Sequence, residues 1–220
     1  MFCPAVFRED RPEVLHALIR AHPLATLITH GQGGLVANLI PFILVRTANG
    51  QAIIRAHLAR ANEQLDELRT ATEALVVFQG PQTYVTPSWY ETKREHGRAV
   101  PTWNYIAVQV RGCPRILEDA NWLRGQLDAL TEQQEQARPE PWAVADAPES
   151  FIASQMRGIV GLEIPVDRIY GKWKVSQNQP AENMPGILAG LIQEDATSTM
   201  AAEVETRMRF RSTVLPAMPD

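Results

Sequence analysis

Cysteine is scarce. The 220 residues hold only Cys3 and Cys113, far apart and in no metal-ligand spacing, so no disulfide framework is expected and both read as free thiols of a cytosolic chain. Long apolar runs are missing too, none approaching the roughly 20 residues that cross a bilayer. The N-terminus, Met1-Phe2-Cys3-Pro4-Ala5-Val6-Phe7-Arg8, lacks a basic stretch followed by an apolar one, so no signal peptide is expected and the expected location is the cytoplasm. Positive charge is not in excess: 21 Lys and Arg stand against 25 Asp and Glu, a net charge of −4, whereas a dedicated nucleic-acid binder clusters cations against phosphate. His16, His22, His30, His57 and His96 show no HExxH or other local ligand spacing, so no metal site is expected. No GxSxG elbow supports a hydrolase triad. Gly31-Gln32-Gly33-Gly34 lies between strand-like segments with no helix after it, which is not a phosphate loop. No internal repeat or low-complexity linker is present.

What remains is an ordinary globular composition, 45% hydrophobic and 21% charged, sufficient for one large domain or two small ones. Asp10 and Glu13 have capping-box spacing, and Val14, Leu15, Leu18 and Ile19 share a face up to about Ala21, which predicts a first helix stopped by Pro23. Leu24 to His30 and Leu35 to Val45 read as a hairpin, and Asn49-Gly50 turns the chain into a third strand, Gln51 to His57. A short polar helix follows from about Ala61 to Arg69. Ala74 to Gln79 is an uninterrupted apolar run, of the kind buried on both faces. Thr83 to Thr86, Asn104 to Gly112, Arg115 to Leu117 and Gly161 to Val166 complete the strands. Helices are predicted from about Asn121 to Ala137, from about Pro148, and over Gly186 to Gln193. This order lacks the strand–helix alternation of a parallel sheet. It predicts a mainly β chain with peripheral helices (α+β), its antiparallel strands forming a barrel that removes exposed edges.

Three clusters carry candidate chemistry. Between Gln79 and Tyr105, Tyr84, Trp89, Tyr90, Trp103 and Tyr105 are interleaved with Lys93, Arg94, His96 and Arg98 and stiffened by Pro81, Pro87 and Pro101. Flat rings and cations in an irregular segment suit a pocket wall that stacks a planar ligand and holds its anionic end; rings bracing a long loop are the plainer reading. Gly171-Lys172-Trp173-Lys174-Val175-Ser176-Gln177-Asn178 places two lysines around a tryptophan, followed by a hydroxyl and amides. His57-Leu58-Ala59-Arg60-Ala61-Asn62 joins a strand to a helix, where free N–H groups and Arg60 favour a phosphate; a simple N-cap beside a surface arginine accounts for the same residues. Arg207, Arg209 and Arg211 read as a solvated face.

These segments, together with Val76-Val77-Phe78-Gln79-Gly80-Pro81, Thr86-Pro87-Ser88-Trp89-Tyr90, Lys93-Arg94-Glu95-His96-Gly97 and Val100-Pro101-Thr102-Trp103-Asn104-Tyr105, resemble the PaiB-like proteins, described as FMN-binding negative transcriptional regulators. The resemblance runs in register over about residues 1 to 192. It implies an FMN-binding split β-barrel related to pyridoxamine-phosphate oxidases, dimeric, with flavin at the subunit interface. By that resemblance, Arg60 and Asn62 meet the flavin phosphate, and the strand holding Asn38, Leu39 and Ile40 runs beside the isoalloxazine ring. Trp89, Lys93, Trp103 and Asn104 complete the pocket, with Lys172, Trp173, Lys174, Ser176, Gln177 and Asn178 joining them from the same or the partner chain. Glu63 departs from the family pattern, standing where a proline is common. Residues 1–194 are expected to form the flavin domain, and 195–220 an extension that is helical or disordered. Three functions follow from the resemblance: a flavin-dependent oxidoreductase acting on a small molecule, a negative transcriptional regulator acting through DNA or protein without catalysis, and a haem-binding split barrel. Catalytic residues are not assigned by the sequence.

Overall fold

A computed structural model describes residues 1–31 and 33–214, with side chains through residue 209. The elements run β1 (Arg8–Glu9), α1 (Pro12–Ala21), β2 (Leu24–Gly31), β3 (Gly34–Pro41), β4 (Ile43–Arg46), β5 (Ala52–Ala59), α2 (Gln64–Thr70), β6 (Ala74–Val85), α3 (Glu91–His96), β7 (Thr102–Gly112), β8 (Arg115–Leu117), α4 (Ala120–Glu135), α5 (Glu149–Met156), β9 (Ile159–Pro165), β10 (Arg168–Lys174), α6 (Met184–Glu194) and α7 (Thr199–Val214). Strand order is β1-β10-β7-β6-β2-β3 in one sheet and β4-β5-β9-β8 in the other. Strand makes up 34% of the residues and helix 39%. The sheets thus set the architecture without outnumbering the helices.

The first hairpin forms as the alternation predicts, with Leu24 opposite Pro41 and Gly31 opposite Gly34. The return strand is not continuous. It breaks at Phe42, whose N–H donates to the Pro23 carbonyl at 2.8 Å, so β3 pairs with β2 and β4 pairs with β5 in the other sheet. Pro41 has no N–H for a ladder, and a run that is apolar apart from Asn38 hid that switch. The Asp10–Glu13 box is not made either. Arg11 occupies the N-cap of α1 without a side-chain cap bond, and Pro12 begins the helix. Cys3 and Cys113 are both free thiols.

The chain divides into two compact units: residues 11–78 with 108–170, and residues 1–10 with 79–107 and 171–220. In the first, Phe42 and Phe78 meet edge to face at 6.0 Å within a core that includes Leu27, Ile54, Val76, Leu162 and Ile164. Helix α4 closes on β5 and β9 because Gly161 leaves room for Trp122; a Cβ there would stand 2.2 Å from the indole. That indole donates to Glu163 at 3.0 Å, and Arg55 pairs with the same carboxylate while lying 5.5 Å over the ring. β6 is not buried on both faces. Val76 and Phe78 are buried, but Leu75 and Val77 are only partly covered.

In the second unit α7 is an integral element. Met200, Ala201 and Val204 are buried, and Arg207 pairs with the buried Glu9 while its guanidinium lies 5.9 Å over Trp173. The solvated face expected of the C-terminal arginines therefore does not hold at Arg207. Arg209 pairs with Glu205 at 2.7 Å, and the Arg211 side chain and residues 215–220 lie outside the described residues. No helix among the described residues is long and apolar enough to cross a membrane.

Candidate functional site

The strongest constellation of predicted residues lies on β7, β10 and the loop after it. Side chains alternate along a strand, so Trp103 and Tyr105 share one face of β7, while Asn104 and Ile106 point to the core. Lys172 and Lys174 likewise share one face of β10, and the Lys172 ammonium lies 4.9 Å from the Tyr105 ring centre, which puts the rings and the cations on one side. Trp103 extends this surface, 55% exposed and edge to face with Tyr84 at 5.9 Å.

The two ammonium groups have no carboxylate partner among the described residues. Lys172, buried, donates to the Phe2 carbonyl at 3.1 Å. Lys174 donates to the Thr102 hydroxyl and the Trp103 carbonyl. Burial, and secondarily the charge of Lys172, holds the Lys174 ammonium below the usual lysine pKa. Two crowded cations without an acid, beside exposed rings, form a donor set that fits a flat, negatively charged heterocycle.

Behind this face the polar residues satisfy one another. Asn104, fully buried, donates its amide to Ser176 Oγ at 2.8 Å and accepts that hydroxyl at 3.2 Å. Ser176 has φ +65°, a left-handed backbone on a non-glycine residue. Gln177 accepts the Val175 N–H at 2.7 Å and donates to the Trp173 carbonyl. Trp173 is buried, its indole donating to Glu203 of α7 at 3.1 Å. Asn178 is exposed. Trp89 lies on α6, where a Cβ on Gly190 would stand 2.2 Å from its indole. Lys93 sits in the last turn of α3.

The other predicted residues belong to the first unit. Asn38 donates to Gln64 at 2.9 Å, and Gln64, fully buried, also bonds the Leu27 carbonyl and the Thr29 hydroxyl. Gln64 thus fixes Asn38, a role with no local sequence signal because its partners lie on β2 and β3. Leu39 is exposed and Ile40 buried. Asn62 accepts the Gln64 N–H at 3.0 Å in the turn that leads into α2, whose N-cap is Glu63. Arg60 donates to the Arg157 carbonyl at 3.0 Å and pairs with Glu118 at 3.4 Å. Glu118 is held below the usual carboxylate range, first by its hydrogen bond from Arg69 and then by Arg60. His57 is held below the usual histidine value by burial, and its Nδ1 has no hydrogen-bond partner. Among the described residues no His, Cys, Asp and Glu cluster is arranged to hold a metal.

The family described as "Putative FMN-binding domain" matches residues 1–168. An uncharacterised protein of Emericella nidulans is 34% identical over 244 aligned residues, covering 94% of this chain and 97% of that protein. The protease synthase and sporulation protein PAI 2 of Bacillus subtilis is 29% identical over 211 residues, covering 95% of this chain and 99% of its own. Among solved structures, the FAD and heme binding protein from Mycobacterium smegmatis superposes with a TM-score of 0.58 at 21% identity, covering 76% of this chain and 73% of that one. The fold is the expected antiparallel split β-barrel with helices around it.

Proposed function

The chain belongs to the PaiB-like family of FMN-binding domains, and from that membership we propose that it is a homodimeric redox flavoprotein whose flavin ring lies against the ring-and-cation face of β7 and β10. The observation that carries this reading is the pair Lys172 and Lys174, two ammonium groups without a carboxylate beside Tyr105 and Trp103.

Bound FMN supplies hydride or electron transfer. The protein's part is to bind, orient and bias. Trp103 offers an exposed ring for stacking. Lys172 and Lys174 set a positive field against the ring and favour the bound forms that carry negative charge, which raises the tendency to accept electrons. Asn104 and Ser176 lock the loop after β10 so that Lys174 keeps its position. Arg60, Asn62 and the backbone of Asn38 to Ile40 are proposed contacts carried by the resemblance. Arg60 enters such a role by exchanging its solvent-exposed partner Glu118 for phosphate.

The dimer is supported by a separate observation in the first unit. Edge strand β3 leaves Leu35 and Leu39 exposed at 75% and 64%, next to partly covered Ile28 on β2 and Leu75 and Val77 on β6. A largely aliphatic face of this kind on an edge, with Thr26 opposite Leu39 and the exposed His30 opposite Leu35, is covered by association, and a second copy of the chain is the proposed occupant.

Anaerobic addition of NADH or NADPH tests the redox reading. Bleaching of the flavin absorbance, with return of colour on adding an electron acceptor, is expected. A flavin that no nicotinamide reduces contradicts it and leaves the regulatory reading, which a gel shift with the upstream DNA at moderate salt then examines. That reading is supported by the sporulation role in the Bacillus relative's name, while the chain's net charge of −4 weighs against direct DNA contact.

A further inference from the structure

A third cation stands on the ring-and-cation face of the second unit. Strand β1 pairs antiparallel with β10, with Arg8 opposite Lys172 and Glu9 opposite Gly171. Residues directly opposite each other in an antiparallel pair share a face, so Arg8 emerges on the side of Lys172 and Lys174. Glu9 is turned to the other side, where it is buried and pairs with Arg207. Opposed Cβ atoms are about 5 Å apart, and Lys174 follows about 7 Å farther along β10. Arg8 is exposed and makes no hydrogen bond or ion pair among the described residues. Lys172 and Lys174 donate only to carbonyls and a hydroxyl there. The strand order β1-β10-β7 gives the face a direction. Trp103 and Tyr105 lie inward on β7, the lysines lie between, and Arg8 stands on the outer edge.

We propose that Arg8, with Lys172 and Lys174 behind it, binds the phosphate monoester of the flavin's electron donor, so that the donor is NADPH in preference to NADH. The inference rests on the redox reading above and names its substrate. Three considerations fix the class. A cation taken out of water without a counter-charge is costly, and Lys172 is buried while Lys174 is half-buried, so an anion bound here stabilises the face. The planar guanidinium fork takes phosphate oxygens in pairs. A phosphate monoester concentrates about two negative charges on one group near pH 7, as the cations are concentrated here, whereas the pyrophosphate shared by NADH and NADPH spreads its charge over two groups. A nucleic-acid duplex calls for a row of cations against a row of phosphates; these stand at one spot on a chain of net charge −4. In turnover the hydride, with its electron pair, passes to the flavin and the donor leaves as NADP⁺, so NADP⁺ affinity reports the same contact without reaction.

Calorimetric titration of the flavin-loaded full-length protein with NADP⁺, and separately with NAD⁺, tests it. NADP⁺ is expected to bind at least about tenfold more tightly, with a preference that shrinks as salt rises. Arg8→Gln is expected to remove most of that preference. Arg8→Lys, which keeps the charge and loses the fork, is expected to retain part of it. Because Arg8 has no partner among the described residues, neither variant is expected to lower the thermal midpoint. The proposal is overturned if the parent binds both nucleotides alike, if Arg8→Gln keeps the parent's preference, or if that variant weakens FMN and not NADP⁺, which assigns Arg8 to the flavin's own phosphate. Equal reduction of the flavin by NADH and NADPH overturns this inference and leaves the redox reading standing; reduction by neither removes both.

Discussion

Asn104 and Ser176, 72 positions apart in the chain, hold each other by two reciprocal hydrogen bonds, at 2.8 and 3.2 Å. The pair is buried, and it keeps Ser176 in a left-handed conformation that costs a non-glycine residue about 1–2 kcal/mol. Ser176→Ala loses the bonds and keeps the strain. Ser176→Gly loses the bonds but relieves the strain, so it is expected to be the more stable of the two by about 1 kcal/mol. Denaturant unfolding of both variants checks the order, and the reverse order means that the left-handed backbone at position 176 carries no such strain.

Lys174 sets stability against binding. Its ammonium is partly buried beside Lys172 with no carboxylate partner, so Lys174→Met is expected to raise the thermal midpoint of the flavin-free protein while weakening FMN about tenfold or more. Because the Lys174 pKa is lowered, FMN affinity is expected to fall on the alkaline side before the ordinary lysine range is reached. Lys174→Arg, which stays charged, is expected to extend binding to higher pH. Fluorescence titrations across pH measure both effects.

Acid is expected to destabilise the chain before the carboxylates titrate. His57 is held below its ordinary value of 6.5 by burial, and His16 by burial and then by Arg46 and Arg20. Between the lowered values and 6.5 the unfolded chain binds more protons than the native one, so stability rises with pH there and is lost as pH falls through about 6.5. Thermal midpoints from about pH 7 to pH 5 are expected to drop, and His57→Gln is expected to flatten part of the drop.

The exposed face of β3 gives a test of assembly. Leu39→Asp places a charge on the strip proposed to meet a second copy, where burying one leucine is worth about 1.5–3 kcal/mol. Sedimentation is expected to show a dimer for the parent and a monomer for the variant, with the monomer still folded by circular dichroism. A parent that sediments as a monomer at all concentrations contradicts the dimer.

Much of this was legible in the sequence, for physical reasons. Leu24 to Gly31 alternates and ends at a glycine turn, and Asn49-Gly50 leaves few ways to place the second hairpin, so both formed where the pattern put them. Lys172 and Lys174 stood out because cations around a tryptophan do not suit a plain strand. The switch at Phe42 was hidden because Leu35 to Val45 is apolar apart from Asn38, and one run feeds two sheets. The half-covered face of Leu75 and Val77 was hidden because an apolar run looks the same whether its cover is the chain's own or another's. β10 itself was missed, since Tyr170 to Lys174 mixes rings, glycine and lysines with no alternation. The pairs Asn104–Ser176 and Asn38–Gln64 arise from tertiary approach and leave no mark on local spacing.

The central claim is that this chain carries FMN on its ring-and-cation face. Its most direct test is the absorption spectrum of the purified protein together with chromatographic identification of the cofactor released on denaturation, for the parent and for the double variant Lys172→Met, Lys174→Met. A yellow parent releasing FMN stoichiometric with chain, and a folded double variant that is colourless or retains only a trace, is the predicted result. A parent that is colourless and indifferent to added FMN, one that shows a haem spectrum, or a double variant that holds FMN as firmly as the parent contradicts it.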